Sequence, residues 1–272
     1  MDRKVMKRVK EHYNHLLKYV KEDSVFGVFL VGSQNYNLAT SSSDVDTKAV
    51  VLPTLEDLSL NHSPVSTTLY VPCGDREEEH MTVTDFRLWM AQLRKGNVNT
   101  LETLFTEYFV VNPKYQAVWD ELQVYREDFA RMDVSMVFSA SLGVFNSKRR
   151  HCFNPTEKTE PVFEKYFYEP KSLMHMLRMT DFMFRYFSNE SFESCLKARH
   201  VDKLLLAKSG HYSLEEAHAF TEYCEGRLKT LKEWYMENFS VYYVTDHKDR
   251  LVKRMDKLCE KALKEALRGD FE

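Results

Sequence analysis

Seven consecutive residues, Val25-Phe26-Gly27-Val28-Phe29-Leu30-Val31, carry no charge and no side-chain hydrogen-bonding group. A run that short and that rich in branched and aromatic residues predicts a buried strand. Gly32-Ser33 break it, and residues 34–40 predict a short helical turn. A polar turn over 41–43 then leads to a second strand over 45–52, stopped by Pro53. Upstream, Val5, Val9, Tyr13, Leu16, Leu17 and Val20 recur at helical spacing among Lys, Arg and Glu, which predicts an amphipathic helix over 3–21. Residues 54–75 are mixed and turn-rich, and 81–84 predict a short third strand. From Asp85 a helix presents Phe86, Trp89, Met90 and Leu93 on one face and stops at Gly96-Asn97. Thr100 opens another helix through Leu104, and 109–111 are strand-like before Pro113. Beyond Pro113 strand signals nearly vanish, and 114–124, 134–149, 170–187, 198–208, 213–236 and 248–268 all predict helices. The expected class is α+β: a small mixed-sheet domain with its N-terminal helix over 1–112, followed by an all-helical domain over 113–272.

Composition narrows the function classes without choosing one. With 43% hydrophobic residues in 272, the chain can bury a sizeable core, and only 8 Gly and 7 Pro argue against a collagen-like or disordered chain. A net charge of -3 excludes a protein that holds nucleic acid by bulk positive charge, so any polyanion site must be a local patch. No apolar run approaches a membrane span, and Met1-Asp2-Arg3-Lys4 leads into a charged helix rather than a signal peptide. Five scattered cysteines without zinc-ligand spacing fit a reducing compartment. The expectation is a cytoplasmic protein with no membrane partner.

The chemistry concentrates in Gly32-Ser33-Gln34-Asn35-Tyr36-Asn37-Leu38 and Ser43-Asp44-Val45-Asp46. Gly32 lets the backbone turn sharply off a buried strand, and Ser33 then places a hydroxyl and backbone donors at an expected helix N-terminus, where phosphate oxygens can bind. Asp44 and Asp46, two apart at the start of a strand, project from the same side. Like charges that close are costly unless a divalent cation lies between them. A phosphate cradle beside paired carboxylates is what metal-assisted phosphoryl or nucleotidyl transfer requires.

In this order the motif resembles the signature of the DNA polymerase beta-like nucleotidyltransferases. Lys95-Gly96-Asn97-Val98-Asn99-Thr100-Leu101-Glu102 is similar to the helix junction of the bacterial and phage RNA-repair-pathway nucleotidyltransferase family, and Tyr168-Glu169-Pro170-Lys171-Ser172-Leu173-Met174-His175-Met176-Leu177-Arg178 is similar to that family's Lys/His/Arg helix. The three blocks span about residues 28–180. The resemblance implies a nucleotidyltransferase of EC 2.7.7 type with Mg²⁺ or Mn²⁺, a nucleoside triphosphate substrate and an RNA acceptor, a tRNA end among them. On their own physics Lys171, His175 and Arg178 fall at i, i+4 and i+7 on one helix stripe, which Arg185 continues, and a cationic stripe can neutralise phosphates. On the residues alone the stripe reads as a solvated helix face, and the family resemblance is what reverses that. His175 lacks a second His one turn away and reads as a phosphate or base contact rather than a metal ligand. Asn97 and Glu102 fit both capping and a site role. Lys148-Arg149-Arg150, ahead of the aromatic Tyr166-Phe167-Tyr168, form the strongest basic run and suggest a nucleic-acid contact.

One position departs from the resemblance. The third carboxylate expected from a neighbouring strand aligns with His80, with Glu79 pointing to the opposite face unless a bulge intervenes. Glu79 or Glu78 then completes the catalytic set, or the site works with the Asp44 and Asp46 pair and one held metal, or activity is lost. The site expected is catalytic Asp44, Asp46 and Glu79, metal on Asp44 and Asp46, and nucleotide on Gly32, Ser33, Lys171, His175 and Arg178. The reaction expected is transfer of a nucleoside monophosphate to an acceptor hydroxyl with release of pyrophosphate. The alternatives are a toxin-like enzyme that nucleotidylates a protein or small molecule, and a non-catalytic nucleotide- or RNA-binding module.

Overall fold

Asp2 accepts a hydrogen bond from the Lys4 amide and starts helix α1 (Arg3–Leu16). The periodic face of this helix buries Val5, Val9, Tyr13 and Leu16. It ends before residue 21 because the last turn tightens, with the Tyr19 amide bonding the Leu16 carbonyl, and a 3₁₀ turn (Glu22–Ser24) follows. The structure, a computed structural model, describes residues 2–40, 43–73, 76–239 and 245–268.

The run of apolar residues forms strand β1 (Val25–Val31), followed by β2 (Asp46–Val51). Helix α2 (Leu55–Ser59), closed by a capping box between Thr54 and Asp57, leads to β3 (Ser66–Cys73) and β4 (Arg76–Asp85). Helices α3 (Phe86–Arg94) and α4 (Val98–Leu101) and a 3₁₀ turn (Glu102–Leu104) precede β5 (Phe109–Val111), and α5 (Gln116–Val124) and α6 (Arg126–Arg131) complete this stretch. The sheet order is β3-β4-β2-β1-β5, with β2 and β4 parallel and the other neighbours antiparallel. Turn-rich residues 54–75 conceal β3, whose exposed outer residues and Pro72, at a register shift, mark a sheet edge.

The sheet buries both faces. Val28, Leu30, Ala49, Val71 and Met81 meet α1 on one side. On the other, Phe26 and Phe29 pack with Phe86, Trp89, Tyr115 and Trp119, and the Phe29 and Trp89 rings stack 6.0 Å apart. Each such ring or aliphatic side chain taken out of water contributes on the order of 1.5–3 kcal/mol, as an upper figure. Two buried faces explain why β1 shows no polar alternation.

Helices α7 (Val134–Phe153), α8 (Glu160–Tyr166), α9 (Pro170–Phe187), α10 (Phe192–Leu196), α11 (Val201–Lys208) and α12 (Leu214–Phe239) follow, and α13 (Thr245–Leu267) ends the described chain. The fold class is α+β. The two compact units divide the chain otherwise than at residue 113: one comprises Met1–Asn35, Ala39–Val134 and Asp246–Glu272, the other Tyr36–Leu38 and Ser135–Thr245. Helix α13 belongs with the sheet because its charged face is bound there, Arg254 to Glu121 at 2.7 Å and Arg94 to Asp256. Helix boundaries at 113 are a composition shift, and composition does not report which unit a helix packs on. No helix among the described residues is long and apolar enough to cross a membrane, and all five cysteines are free thiols.

Candidate functional site

In the sheet unit, β1 ends at Val31 directly across from Asp46, the first residue of β2. Gly32 follows with φ +89°, a left-handed conformation that side chains with a Cβ rarely adopt. A Cβ placed there would lie 3.9 Å from Asp46 Oδ2, so Gly32 and the carboxylate border one another. Residues 33–37 form turns and not the helical turn expected over 34–40; the Asn35 amide bonds the Gly32 carbonyl at 3.0 Å. Ser33, half-buried, therefore has no helix N-terminus behind it. The Gly32 amide is also committed: it donates to Glu102 Oε1 at 2.6 Å. This corrects the expectation that Gly32 offers that amide to a phosphate.

Glu102 is a buried clamp. The same oxygen accepts from Asn35 Nδ2 at 2.7 Å, while Asn35 Nδ2 also donates to the Leu30 carbonyl and Asn35 Oδ1 accepts from Thr106. The junction over 95–102 delivers it. Gly96 takes the left-handed conformation at φ +63°. Asn97 caps α4 by accepting from the Thr100 amide at 3.1 Å. Thr100 in turn accepts from Lys48 Nζ at 3.1 Å, and burial lowers the Lys48 pKa against the opposing charge of Glu102.

Asp44 is exposed and Asp46 half-exposed. Thr47 pairs with Met81, so the preceding residues Asp46 and His80 are neighbours on parallel strands, with His80 Nδ1 3.7 Å from Asp46 Oδ1. Glu79 lies on the opposite face, 6% exposed. Its Oε2 accepts from Arg8 Nε at 2.9 Å, Arg8 Nη2 at 2.5 Å and His12 Nε2 at 2.9 Å, and its Oε1 accepts from the Val45 amide at 3.2 Å. The expected catalytic role of Glu79 is therefore corrected: strand alternation turns it under the sheet against α1, and no bulge restores it. It holds the residue between the two aspartates instead. The Glu78 side chain lies outside the described residues, as do Ser41 and Ser42 of the polar turn.

Burial pushes the Glu79 carboxyl up, but the hydrogen bonds from His12 and Arg8, with the Arg8 charge, more than reverse this and leave it below the usual carboxylate value. Burial lowers His12 despite Glu79. A neutral His12 then donates from Nε2 to Glu79 and accepts at Nδ1 from Thr47 Oγ1, 2.8 Å away.

Among the described residues no three His, Cys, Asp or Glu side chains converge as a ready-made metal cage. Two carboxylates, one exposed and one half-exposed, are the donor type that suits a hard divalent cation arriving with phosphate oxygens, which is how Mg²⁺ is commonly held.

The helical unit carries a separate cluster. Glu169 caps α9 by accepting from the Lys171 and Ser172 amides at 3.0 and 2.6 Å. Lys171 is exposed and His175 half-buried. Arg178 is 4% exposed, stacks on the Tyr36 ring with its guanidinium 3.7 Å from the centroid, and has no hydrogen-bond partner at Nε or Nη1. Burial and the charges of Arg178, Lys148, Lys171 and Lys208 drive the His175 pKa well below its ordinary value. Arg185 leaves the expected stripe and binds Glu190 and the Ser194 and Lys197 carbonyls as a brace for the turn after α9. The basic run also divides. Lys148 joins the His175 cluster, while Arg149, ion-paired with Glu225, and Arg150 line a groove of about 760 Å³ between α7 and α12. Lys208, absent from the expected set, carries no motif signal because its place is decided by packing of α11 on α9.

The fold and the carboxylate pair define a chain of the α+β class with a strand-end Gly-Ser and Asp-x-Asp arrangement. No family model matches the chain, and no curated protein matches it. Among solved structures it is similar to a nucleotidyltransferase-like protein from Exiguobacterium sibiricum, at 12% identity over 96% of this chain and 92% of that one, with a TM-score of 0.33. A likeness that low is no basis for assigning family or activity.

Proposed function

We propose that the chain is a metal-dependent nucleotidyltransferase that moves a nucleoside monophosphate from a nucleoside triphosphate to an acceptor hydroxyl, an RNA end, and releases pyrophosphate. The observation that carries the reading is the border between Gly32 and Asp46, with each motif segment anchored by a buried carboxylate: Glu102 behind Gly32 and Glu79 behind Val45. Such rigid support of a turn beside one exposed and one half-exposed acid is what preorganised phosphate chemistry needs. Asp44 and Asp46 would hold Mg²⁺ or Mn²⁺. When bound, that ion supplies charge neutralisation at the phosphates and a lowered pKa for the attacking hydroxyl. In the sheet unit Ser33 offers its hydroxyl to the phosphate chain and Gly32 keeps the approach clear of a side chain; in the helical unit, taken by itself, Lys171, His175 and Arg178 are proposed phosphate contacts. The acceptor oxygen bonds to the α-phosphorus, the bond to the β-phosphate bridge breaks, and pyrophosphate departs.

The test offers nucleoside triphosphates radiolabelled at the α-phosphate, with Mg²⁺ or Mn²⁺, to pools of RNA, protein and small molecules. Label should enter RNA and vanish in Asp44→Asn and Asp46→Asn. Label in protein or small molecules instead would replace RNA as the acceptor. His80, standing where a third carboxylate is expected, favours one other reading, a nucleotide-binding module without turnover. Nucleotide binding by the wild-type chain with no transfer to any pool would establish that reading and refute ours.

A further inference from the structure

The charges of four cations act on His175 in the helical unit, and they come from three helices: Lys148 of α7, Lys171 and Arg178 of α9, and Lys208 of α11. The nearby carboxylate is Glu169, which already caps two amides of α9 while its charge acts on Lys148. Like charges gathered this way repel, and a buried guanidinium with unmade hydrogen bonds is costly. Arg178 is such a group, with Nε and Nη1 both orphaned. Its ring contact with Tyr36 fixes the guanidinium plane without using those donors. Lys208 is steadied by the Leu38 carbonyl at 3.3 Å. The cluster is built before any anion arrives.

We infer that Lys148, Lys171, Arg178 and Lys208 around His175 form a metal-independent site for the phosphate chain of a nucleoside triphosphate, and that filling this site draws a proton from solvent onto His175. The compactness of the cluster selects the ligand. Four charges about one imidazole match the three or four negative charges of a triphosphate, whereas a nucleic-acid backbone spreads one charge per nucleotide. Two unpaired guanidinium donors suit neighbouring phosphate oxygens. The charged groups facing His175 are the four cations from α7, α9 and α11, all of one sign, with Glu169 beyond them at the start of α9. An empty site therefore keeps the imidazole neutral near neutral pH. A bound polyanion reverses the local sign and favours imidazolium, so affinity rises as pH falls. This inference takes the identity of the anion from the nucleotidyl-transfer reading, but the binding itself does not require that reaction.

The experiment is calorimetric titration of the full chain with inorganic tripolyphosphate in EDTA, at about pH 6 and about pH 8, with NMR observation of the histidine rings. Wild type should bind in EDTA, with Mg²⁺ withheld, since the site needs no metal. Arg178→Met and Lys208→Ala should each weaken binding about tenfold or more. The ligand's own titration is common to all variants, so the wild-type preference for low pH should exceed that of His175→Gln, by up to about tenfold per pH unit. Should Arg178→Met fail to fold by circular dichroism, the exposed Lys171→Ala tests the same point. Absence of tripolyphosphate binding in EDTA, equal affinity in the cation variants, equal pH slopes with and without His175, or binding of RNA lacking a triphosphate in its place would each overturn the inference. Proton-linked binding without transfer to any acceptor would leave the site standing and remove the reaction. Transfer without these binding effects would do the reverse.

Discussion

Glu79 separates two accounts of the sheet unit, because a metal ligand and a buried clamp respond oppositely to Glu79→Gln. The side chain accepts four hydrogen bonds, from Arg8 Nε, Arg8 Nη2, His12 Nε2 and the Val45 amide. Glutamine is nearly isosteric but keeps one acceptor oxygen and turns an NH₂ group toward donors. If the remaining oxygen stays with His12, the Val45 amide faces another donor and Arg8 loses one of its two charge partners, keeping Glu11. Arg8 retains access to water, with 21% of its side chain exposed, so its loss is discounted below that of a fully buried ion. One orphaned amide and one weakened charged bond sum to about 2–4 kcal/mol. For a chain of this size that lowers the thermal midpoint by roughly 5–15 °C. The assay is thermal unfolding by circular dichroism in EDTA, wild type against Glu79→Gln. A metal-ligand role predicts the opposite sign, since relief of carboxylate repulsion in the metal-free protein leaves stability unchanged or raised. An unchanged or raised midpoint in EDTA would refute the clamp.

Glu102→Ala orphans the Gly32 amide and Asn35 Nδ2, and should cost about 2–4 kcal/mol in denaturant unfolding, against about 1 kcal/mol for Glu102→Gln, which keeps an acceptor; equal stability of the alanine variant would exclude the contact. Gly32→Ala should cost about 1–2 kcal/mol from backbone strain alone, because the added Cβ meets Asp46 at an ordinary contact distance; a neutral effect on the urea midpoint would contradict the left-handed turn. His12 and His175 both have lowered pKa values, so the unfolded chain takes up protons first and stability should decline as pH falls below about 6.5. Glu79, also lowered, contributes above about 4.5 and loses its contribution below, which steepens the decline. Urea midpoints from about pH 8 to about pH 4 should show both limbs, the upper one shallower in His12→Asn and His175→Gln; a midpoint independent of pH would exclude neutral His12 and His175 in the folded chain.

Much of the sheet unit was legible because its signals are local. The length of β1 and its break at Gly32 follow from side-chain type over a few residues, whereas Asn97 fitted both capping and a site role until the structure showed it as an N-cap. Strand alternation from His80 left Glu79 on the opposite face unless a bulge intervened; Glu79 was nevertheless expected in the catalytic set, and burial against α1 decided otherwise. Edge strand β3 was not legible, since half-exposed edges need little apolar character and Ser66-Thr67-Thr68 reads as a turn. Helix α13 was legible as a helix and not as a partner of the sheet, because its ion pairs join residues more than a hundred positions apart.

The candidate residues divide in the same way. Sequence alone determined that Gly32, Ser33, Asp44 and Asp46 share one strand-turn-strand unit and that Lys171, His175 and Arg178 share one helix stripe, because both statements depend only on local period. Tertiary structure decided what those residues can still do. It committed the Gly32 amide to Glu102, made Glu79 a support for Val45, withdrew Arg185 into a turn, and brought Lys148 and Lys208 to His175. Hydrogen bonds and charge clusters are made by whichever groups packing brings together, and no periodicity records them.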